Sequence, residues 1–443
     1  MNCLKVRFLI KLAIVLILTA NSILPAMAQH RESAESEISK AAKSASERVS
    51  VGANGQVQDQ PHKGLGNNSD DDNIEVSLLT CDPSDEVYGL YGHTAIRYHN
   101  LETGEDWAFN YGIFNFSKPF FIFRFTLGLT DYELGVTTYE FFRRAYANRG
   151  VRVREQVLDL TKEEKARLFR DLAINYLPEN RVYRYNCYYD NCTTRARDII
   201  EQSIGRGGKI IYGYTSQQRE VVTYRQLIHE SNAGHPWARF GVDLCMGLGS
   251  DLPISSRKAE FLPKMLLEHF DNTRIEDEAG ERPIVKETRV AVEGFKRPIE
   301  KEFPLTPLQC SITLLVVSLI IMVVEIVTKK VVKAWDVLLM LTQGLSGILI
   351  VLLFVSQHPT TSTNLQILLL NPLPLFFIPA VVLAGKKRRR GGVYRESRYW
   401  TILFCLLILY LFGAFFQHYA EGMGVVALSL LTRCLTHRIV KTK

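Results

Sequence analysis

The pattern of hydrophobic and polar positions divides the chain into parts of different character. Bulky apolar residues are almost absent from 29–73, which cannot bury enough surface to order itself and is predicted to be a flexible linker. Alternating and helix-periodic apolar positions fill 74–270 and predict an α+β domain with an antiparallel sheet. Residues 271–308 are charged and irregular and are predicted to form a stalk, whereas 309–443 is mostly apolar and is predicted to lie in a membrane.

Within the α+β domain, local signals place individual strands and helices. Strands are predicted at 74–79, 88–98, 106–114 and 151–160, the second and third forming a hairpin. Three helices are predicted from their N-cap residues, which are Thr161 (with Glu164 in a capping box), Asn191 and Thr223. The phenylalanine-rich stretch 114–129 is predicted to enter the core; the alternative is an apolar wall facing lipid or an acyl chain.

Apolar runs of about 20 residues, the length that a bilayer requires, recur in the C-terminal part. Membrane spans are predicted at 311–328, 334–356, 365–385 and 399–417, with a weaker one at about 422–438. The positive-inside rule favours the last of these, because without it Arg438, Lys441 and Lys443 would lie outside. The sequence therefore predicts an all-α bundle of about five transmembrane helices.

The first residues have the composition of a secretory leader. Lys5 and Arg7 precede an apolar run, and a small-residue cleavage site ends at Ala28. Residues 1–28 are therefore predicted to be a signal peptide. The soluble domain would then lie on the periplasmic side of a bacterial inner membrane, as part of a multi-pass protein.

Charge and composition exclude several classes of function. The net charge is +7, but the basic residues cluster beside the predicted leader and spans, which indicates membrane topology and not nucleic-acid binding. No zinc-type Cys/His spacing, phosphate-binding loop or dinucleotide fingerprint occurs, so no metal and no other cofactor is expected.

The candidate chemistry lies in a cysteine and a histidine that are far apart in the chain. Cys192 follows the N-cap Asn191 as the first residue of a helix, where orphan N–H groups and the helix dipole stabilise a thiolate. His93 lies on a predicted strand, and the two together would form a thiol–imidazole pair for acyl transfer. The alternative interpretation is a buried structural cysteine and a hydrogen-bonded core histidine. The other candidate bases are His99, His229 and His235.

The soluble region contains four of the eight cysteines, which are Cys81, Cys187, Cys192 and Cys245. In an exported domain, Cys81, Cys187 and Cys245 are candidates for a disulfide, which would leave Cys192 as the odd thiol. Spacing alone does not determine the connectivity.

Polar residues in or beside membrane spans are costly, and each is therefore a candidate site residue. Glu325 and Asp336 fall near the predicted cytoplasmic ends, where interfacial solvation would explain them. His358, in a short loop, and Asn371, beside helix-breaking prolines, fall towards the outer face and are the stronger candidates for substrate binding.

Four motifs occur in order: YGHTAIR at 91–97, DNCTTR at 190–195, TYRQLIHE at 223–230 and GVDLC at 241–245. With the five-span tail and its Gln-His-Pro loop at 357–359, they resemble the Lnb-type periplasmic domain family of Bacteroidota. The resemblance covers roughly 75–440, nearly all of the chain that follows the leader and linker.

The resemblance implies a lipoprotein N-acyltransferase, which moves a fatty acyl group from a phospholipid, through a cysteine thioester, to the N-terminal amine of diacylglyceryl-cysteine lipoproteins. It also implies a circularly permuted papain-like fold, similar to the lecithin:retinol acyltransferase group, in which the histidine precedes the Asn-Cys motif. By this resemblance His93 is the base and Cys192 the nucleophile. A third polar residue is expected on the next strand, where Glu105, Asp106 and Asn110 are available and Asn110 is preferred.

The resemblance leaves substrate contacts and rival functions open. Arg97 and Arg195 would hold a phosphate head group or form a solvated basic face, and Asn191 is a further candidate contact. The expected partners are a phospholipid donor, a lipoprotein acceptor and the membrane. The rival functions are a membrane-tethered Cys/His hydrolase, either a cell-wall peptidase or a lipid thioesterase, and a non-catalytic envelope binding module.

Overall fold

The structure is a computed structural model that describes residues 73–84, 89–114, 120–205, 207–214, 222–295, 303–383 and 390–440. The predicted signal peptide and nearly all of the predicted linker lie outside the described residues.

Strands dominate the first part of the described chain and helices the last part. The strands are β1 (Ile74–Cys81), β2 (His93–Asn100), β3 (Asp106–Ile113), β4 (Asp131–Thr138), β5 (Val153–Leu158), β6 (Val182–Arg184), β7 (Lys209–Ile211), β8 (Val222–Thr223), β9 (Pro253–Ile254), β10 (Arg274–Asp277), β11 (Gly280–Pro283) and β12 (Val285–Val292). The helices are α1 (Phe121–Thr126), α2 (Tyr139–Asn148), α3 (Lys162–Tyr176), α4 (Cys192–Ile204), α5 (Tyr224–Ser231), α6 (Pro236–Cys245), α7 (Ser256–Ala259), α8 (Pro263–Phe270), α9 (Pro307–Thr328), α10 (Lys333–Phe354), α11 (Leu373–Leu383), α12 (Arg390–Gly413) and α13 (Met423–Ile439). The predicted α+β class, with a helical C-terminal region, is confirmed.

The chain forms two compact units, and both are discontinuous in sequence. Among the described residues, the first unit comprises those within Met1–Phe121, Thr130–Glu220 and Ser256–Pro298, and the second comprises those within Ile122–Leu129, Val221–Ser255 and Ile299–Lys443. Helices α5 and α6, which carry the third and fourth motifs, therefore belong to the same unit as the apolar C-terminal helices.

The first unit is built on a seven-stranded antiparallel sheet with the strand order β12-β5-β1-β2-β3-β4-β6. Side chains alternate along a strand, so each central strand presents residues to both faces of the sheet, and both faces are buried. On β1, Leu78 packs into the core that contains Leu172 of α3 and Ile200 of α4, whereas Leu79 packs into a second core with Phe142 of α2. This layering brings the start of α4 to the sheet.

The N-cap predictions are confirmed for all three helices. Thr161 and Glu164 form the predicted capping box at the start of α3. Asn191 caps α4, and Thr223 caps α5. These signals depend on contacts within one turn, so the sequence specifies them without help from the rest of the fold.

Residues 271–308 differ from the predicted irregular stalk. They contain β10, β11 and β12, and β12 pairs with β5 at the edge of the main sheet. Three of its eight residues are charged, and one of them, Arg289, forms an ion pair with Glu155 at 3.2 Å. An edge strand of this composition has little apolar alternation, which is why its pattern resembled a solvated linker.

Among the residues of the second unit that the structure describes, three segments are long and apolar enough to cross a membrane, namely Pro307–Thr328, Lys333–Phe354 and Leu365–Leu383. The third is broken, because a 3₁₀ turn at Leu365–Leu368 precedes α11 and Asn371 Oδ1 accepts from Leu373 N at the break. The described part of α12 includes a shorter apolar stretch, Arg398–Gly413.

Glu325 and Asp336 are completely buried, so the interpretation that interfacial water solvates them is wrong. Arg433 of α13 donates to both Glu325 oxygens at 2.5 and 2.9 Å, and its Nε donates to Asp336 Oδ1 at 2.7 Å. His437 also bonds to Asp336, at 3.0 Å. These ion pairs join α9, α10 and α13 in the interior of the second unit.

The phenylalanine-rich stretch 114–129 only partly enters the core. Phe114 stacks against Phe121 and Tyr132 in the first unit. Phe123 and Phe125 of α1 are 51% and 46% exposed, so the prediction of core packing is wrong for these two rings.

Candidate active site

The start of β2 places His93 at the end of the sheet where α4 begins. His93 is opposite Cys81 in the β1–β2 register, and Gly92 precedes it with a left-handed φ of 76°. A Cβ at Gly92 would lie 2.6 Å from Cys81 O, so the close approach of the chain at this point requires glycine.

Asn191 fixes the start of α4 and thereby the position of Cys192. Its Oδ1 accepts from Thr193 N and Thr194 N at 2.9 and 3.0 Å, and its Nδ2 donates to Cys187 O and Phe261 O at 2.9 Å. These bonds use both donors and both acceptor positions of the amide. Asn191 therefore positions the cysteine and has no hydrogen-bonding group left for a substrate.

A β-bulge in β3 shapes the wall next to Cys192. The register with β4 shifts between Asn110 and Ile113, and Gly112 adopts a φ of 94°. An ideal Cβ on Gly112 would lie 3.7 Å from Cys192 Cβ, so the bulge brings β3 directly against the cysteine. Bulges commonly re-aim side chains beside active sites, and this one follows immediately after Asn110.

Three side chains from three separate elements meet here. His93 Nε2 donates to Asn110 Oδ1 at 3.3 Å, because an amide oxygen only accepts. The His93 imidazole also hydrogen-bonds to the Cys192 thiol. Asn110 Nδ2 in turn donates to Ala108 O at 3.2 Å, which fixes the orientation of the amide. Of the three candidates for a third residue, Asn110 is the one that contacts His93.

The electrostatics favour the ionised cysteine. Burial alone would raise the pKa of the Cys192 thiol, but the charge and hydrogen bond of His93, with bonds from Thr94 N and the Thr193 hydroxyl, lower it to about 7. Burial alone would lower the pKa of His93, but the charge of Cys192 and hydrogen bonds to Cys192 and Asn110 raise it above its ordinary value. The thiolate, here paired with an imidazolium, is the form of cysteine that attacks a carbonyl carbon.

Comparison of the chain with known protein families matches two models of one family. A model of the Lnb N-terminal periplasmic domain matches residues 64–230, and a model of the Lnb transmembrane domain matches residues 298–443. The chain belongs to the Lnb family. Searches of curated proteins and of solved structures gave no match to this chain. Membership identifies a membrane protein with a periplasmic domain and links it to lipoprotein maturation.

A second cysteine of the Lnb periplasmic domain provides an internal contrast. Cys81 is buried, and burial raises the pKa of its thiol far above the ordinary value despite a hydrogen bond with Tyr146. Cys81 is therefore a structural thiol at neutral pH. No disulfide joins the cysteines in the described ranges, and the candidate pairing of Cys81, Cys187 and Cys245 is not formed.

The two arginines proposed for a phosphate head group are engaged in ion pairs. Arg97 bonds to Asp106 at 2.7 Å and Glu155 at 2.9 Å. Arg195 bonds to Asp190 at 2.5 Å. Their guanidinium groups neutralise carboxylates of the same unit, which is a structural role.

His99, the alternative base on the same strand, lies far from the thiol. It is six residues from His93, which corresponds to roughly 20 Å along a strand at ~3.3 Å per residue. Its Nδ1 lies 3.2 Å from Arg97 Nη2, in the ion-pair cluster at the other end of β2.

The third and fourth motifs meet in the second unit. Arg225 donates to Asp243 at 2.6 Å and to Asp251 at 2.8 Å, and His229 bonds to Asp243 at 2.8 Å. His229 is therefore held by a carboxylate, and His235 precedes α6 at its N-cap. These bonds connect α5 and α6 within the second unit.

His358 and Asn371 also make bonds within the second unit. His358 Nε2 donates to Phe125 O at 2.5 Å. Asn371 Nδ2 donates to Leu368 O at 3.2 Å, across the break before α11. The Asn371 bond is local to the break, whereas the His358 bond joins two segments that are far apart in the chain.

Sequence reasoning missed Tyr183, whose hydroxyl lies on the wall of the site. A Cβ added at Gly112 would lie 4.0 Å from the Tyr183 Oη and 3.7 Å from the Cys192 Cβ. The Oη is buried and has no hydrogen-bond partner among the described residues. No local signal marks it, because β6 is a three-residue strand whose neighbours are set by the sheet.

No group of three or more His, Cys, Asp or Glu side chains is arranged to hold a metal ion in the part of the chain that the structure describes.

Alkylation of Cys192 should report its lowered pKa. The thiolate fraction rises as the pH increases through the pKa, so the iodoacetamide rate should be half-maximal near pH 7. In His93→Ala the pKa should move upwards, and the rate at neutral pH should fall by about tenfold for each unit gained. Mass spectrometry of the Cys192 peptide across the pH range measures both rates. An unchanged profile in His93→Ala would show that the imidazole does not stabilise the thiolate.

Proposed function

We propose that this Lnb-family protein is a lipoprotein N-acyltransferase of the bacterial inner membrane, with about five membrane spans and its cysteine on the periplasmic side. The observation that supports this best is a thiol with a pKa of about 7 at the start of α4, hydrogen-bonded to His93, which Asn110 orients. A nucleophile, a base and an orienting amide are the minimum set for transfer through a covalent acyl intermediate.

In the first half-reaction the Cys192 thiolate attacks the ester carbonyl of a phospholipid, and the new C–S bond places negative charge on the carbonyl oxygen. The N–H groups of Thr193 and Thr194 are occupied by Asn191, so the Cys192 N–H is the donor left at the helix start, with the Tyr183 hydroxyl as a second donor. When the ester C–O bond breaks, the lysophospholipid alkoxide takes a proton from the His93 imidazolium. Cys192 then carries the fatty acyl group as a thioester.

In the second half-reaction the N-terminal amine of a diacylglyceryl-cysteine lipoprotein attacks the thioester carbonyl. This amine has an ordinary pKa near ~8, so its neutral form is accessible at neutral pH. His93 accepts the proton that the amine loses as the C–N bond forms. The C–S bond then breaks, which releases the amide product and restores the thiolate.

The apolar helices support transfer over hydrolysis. Both proposed substrates are lipids, and a membrane-spanning unit gives each a lateral path from the bilayer, whereas a tethered hydrolase would need one anchor. Amines also attack thioesters more readily than they attack oxygen esters. The partners are therefore a phospholipid donor and a lipoprotein acceptor, with no other cofactor in the reaction.

The test uses full-length protein in bilayers of phosphatidylethanolamine. Peptide mass spectrometry should find Cys192 heavier by one fatty acyl group, and a diacylglyceryl-cysteine peptide should then remove that group and become N-acylated. A hydrolase would instead release free fatty acid and leave the peptide amine unmodified. A binding module would leave Cys192 unmodified. Either of these results would overturn the proposal.

A further inference from the structure

The helix α1 is tied to a loop at one end of a membrane-spanning helix. Gln357 N donates to Leu127 O at 3.0 Å, and His358 Nε2 donates to Phe125 O at 2.5 Å. Gly128 has a left-handed φ of 68°, and a Cβ there would lie 3.0 Å from His358 N. The backbone at Gly128 and the backbone of the loop therefore approach each other closely.

The position of this loop relative to the bilayer follows from the length of α10. That helix has 22 residues, which at ~1.5 Å per residue corresponds to about 33 Å, close to the hydrocarbon thickness of a bilayer. Gln357 follows the last helical residue, Phe354, by three positions, so the loop lies within roughly 10 Å of the helix end. That distance places the loop, and with it α1, at the level of the lipid head groups.

The outward rings of α1 suit that environment. Phe123 and Phe125 are 51% and 46% exposed, although each exposed Å² of apolar surface costs about 25 cal/mol in water. Val355, directly after α10, is also apolar and exposed, at 68%. Phenylalanine is typical of the apolar face of helices that lie in the membrane–water interface.

We propose that α1 is an interfacial element, with Phe123 and Phe125 inserted into the phospholipid leaflet at the C-terminal end of α10. The occupant of this surface is lipid, because α1 is hydrogen-bonded to a loop that leaves a membrane-spanning helix and its outward rings are apolar, as is Val355 at the helix end. Residues 122–129 therefore belong to the membrane-contacting part of the protein, although they lie within the match to the periplasmic domain.

Photo-cross-linking tests this surface without relying on catalysis. Phe123→p-benzoylphenylalanine keeps an aromatic ring at an exposed position, so it should not disturb folding. The full-length variant is placed in bilayers of phosphatidylethanolamine and phosphatidylglycerol, irradiated and analysed by mass spectrometry. A phospholipid adduct at position 123 is the expected result.

Two control positions decide the interpretation. Val323 on α9 is 60% exposed and should give a lipid adduct, whereas Leu101 in the β2–β3 turn is 56% exposed and should give none. Lipid adducts at 323 but not at 123 would overturn the proposal, as would equal adducts at 101 and 123. An adduct from 123 to a second copy of the chain would identify a protein interface instead of a lipid contact.

Discussion

Cys192→Ala is expected to abolish acyl transfer and to leave the fold intact. The substitution removes only the sulfur that would carry the acyl group, and Asn191 still caps α4 through its bonds to Thr193 and Thr194. Loss of a catalytic nucleophile lowers the turnover rate by a factor on the order of 10⁶. The measurement is N-acylation of a diacylglyceryl-cysteine peptide by the full-length variant in phospholipid bilayers, with thermal unfolding recorded in parallel.

Cys187→Ala is the matched control for this prediction. Cys187 is also partly exposed, and its backbone carbonyl, which accepts from Asn191 Nδ2 at the α4 cap, is retained by alanine. Its activity should therefore remain within a few-fold of the unmodified protein. Acyl transfer that persists in Cys192→Ala, or an equal loss in both variants, would rule out Cys192 as the nucleophile.

Arg433→Met is expected to destabilise the helical unit by roughly 3–5 kcal/mol. The arginine is fully buried, and it pairs with Glu325 and Asp336, which are also fully buried. Removing the guanidinium leaves two carboxylates in the interior with their main counter-charge missing, and this penalty exceeds the small loss of packing. Thermal or denaturant unfolding in detergent micelles measures the change.

Arg438→Met, on the same helix, provides the control. Arg438 is exposed and lies over the Phe404 ring at 4.5 Å, so its replacement should cost less than about 1 kcal/mol. Combining Arg433→Met with Glu325→Gln and Asp336→Asn should restore part of the lost stability, because no unpaired charge then remains. Equal destabilisation at 433 and 438 would show that the buried network is not what holds the helices together.

Local sequence determined the features that depend on neighbouring residues. Thr161, Asn191 and Thr223 specify helix starts because each cap bonds to N–H groups two or three residues later. The position of Cys192 at the first turn of α4 follows from the same signal. The apolar spans after residue 307 were also evident, because a segment that crosses a bilayer needs an unbroken apolar run.

The pattern of apolar and polar residues gave a wrong prediction where an element is only partly buried. The edge strand β12 has few buried residues and was therefore predicted as part of a stalk. The rings of α1 were predicted to be core because periodicity shows that a residue is apolar but not which medium it contacts. For Arg97 and Arg195 the sequence left a phosphate head group and a solvated basic face open, because it does not show that Glu155 and Asp190 pair with them.

The sequence by itself therefore determined a thiol at a helix start, a histidine on a strand and a run of membrane-spanning helices. Only the tertiary structure decided that Asn110, and not Glu105 or Asp106, contacts His93, because the strand register and the bulge at Gly112 set that choice. It also decided that Arg433 neutralises Glu325 and Asp336 from a helix about a hundred residues away. The physical reason is the same in both cases: the energy of a charge or a hydrogen bond depends on the distance between atoms in space, and chain separation does not determine that distance.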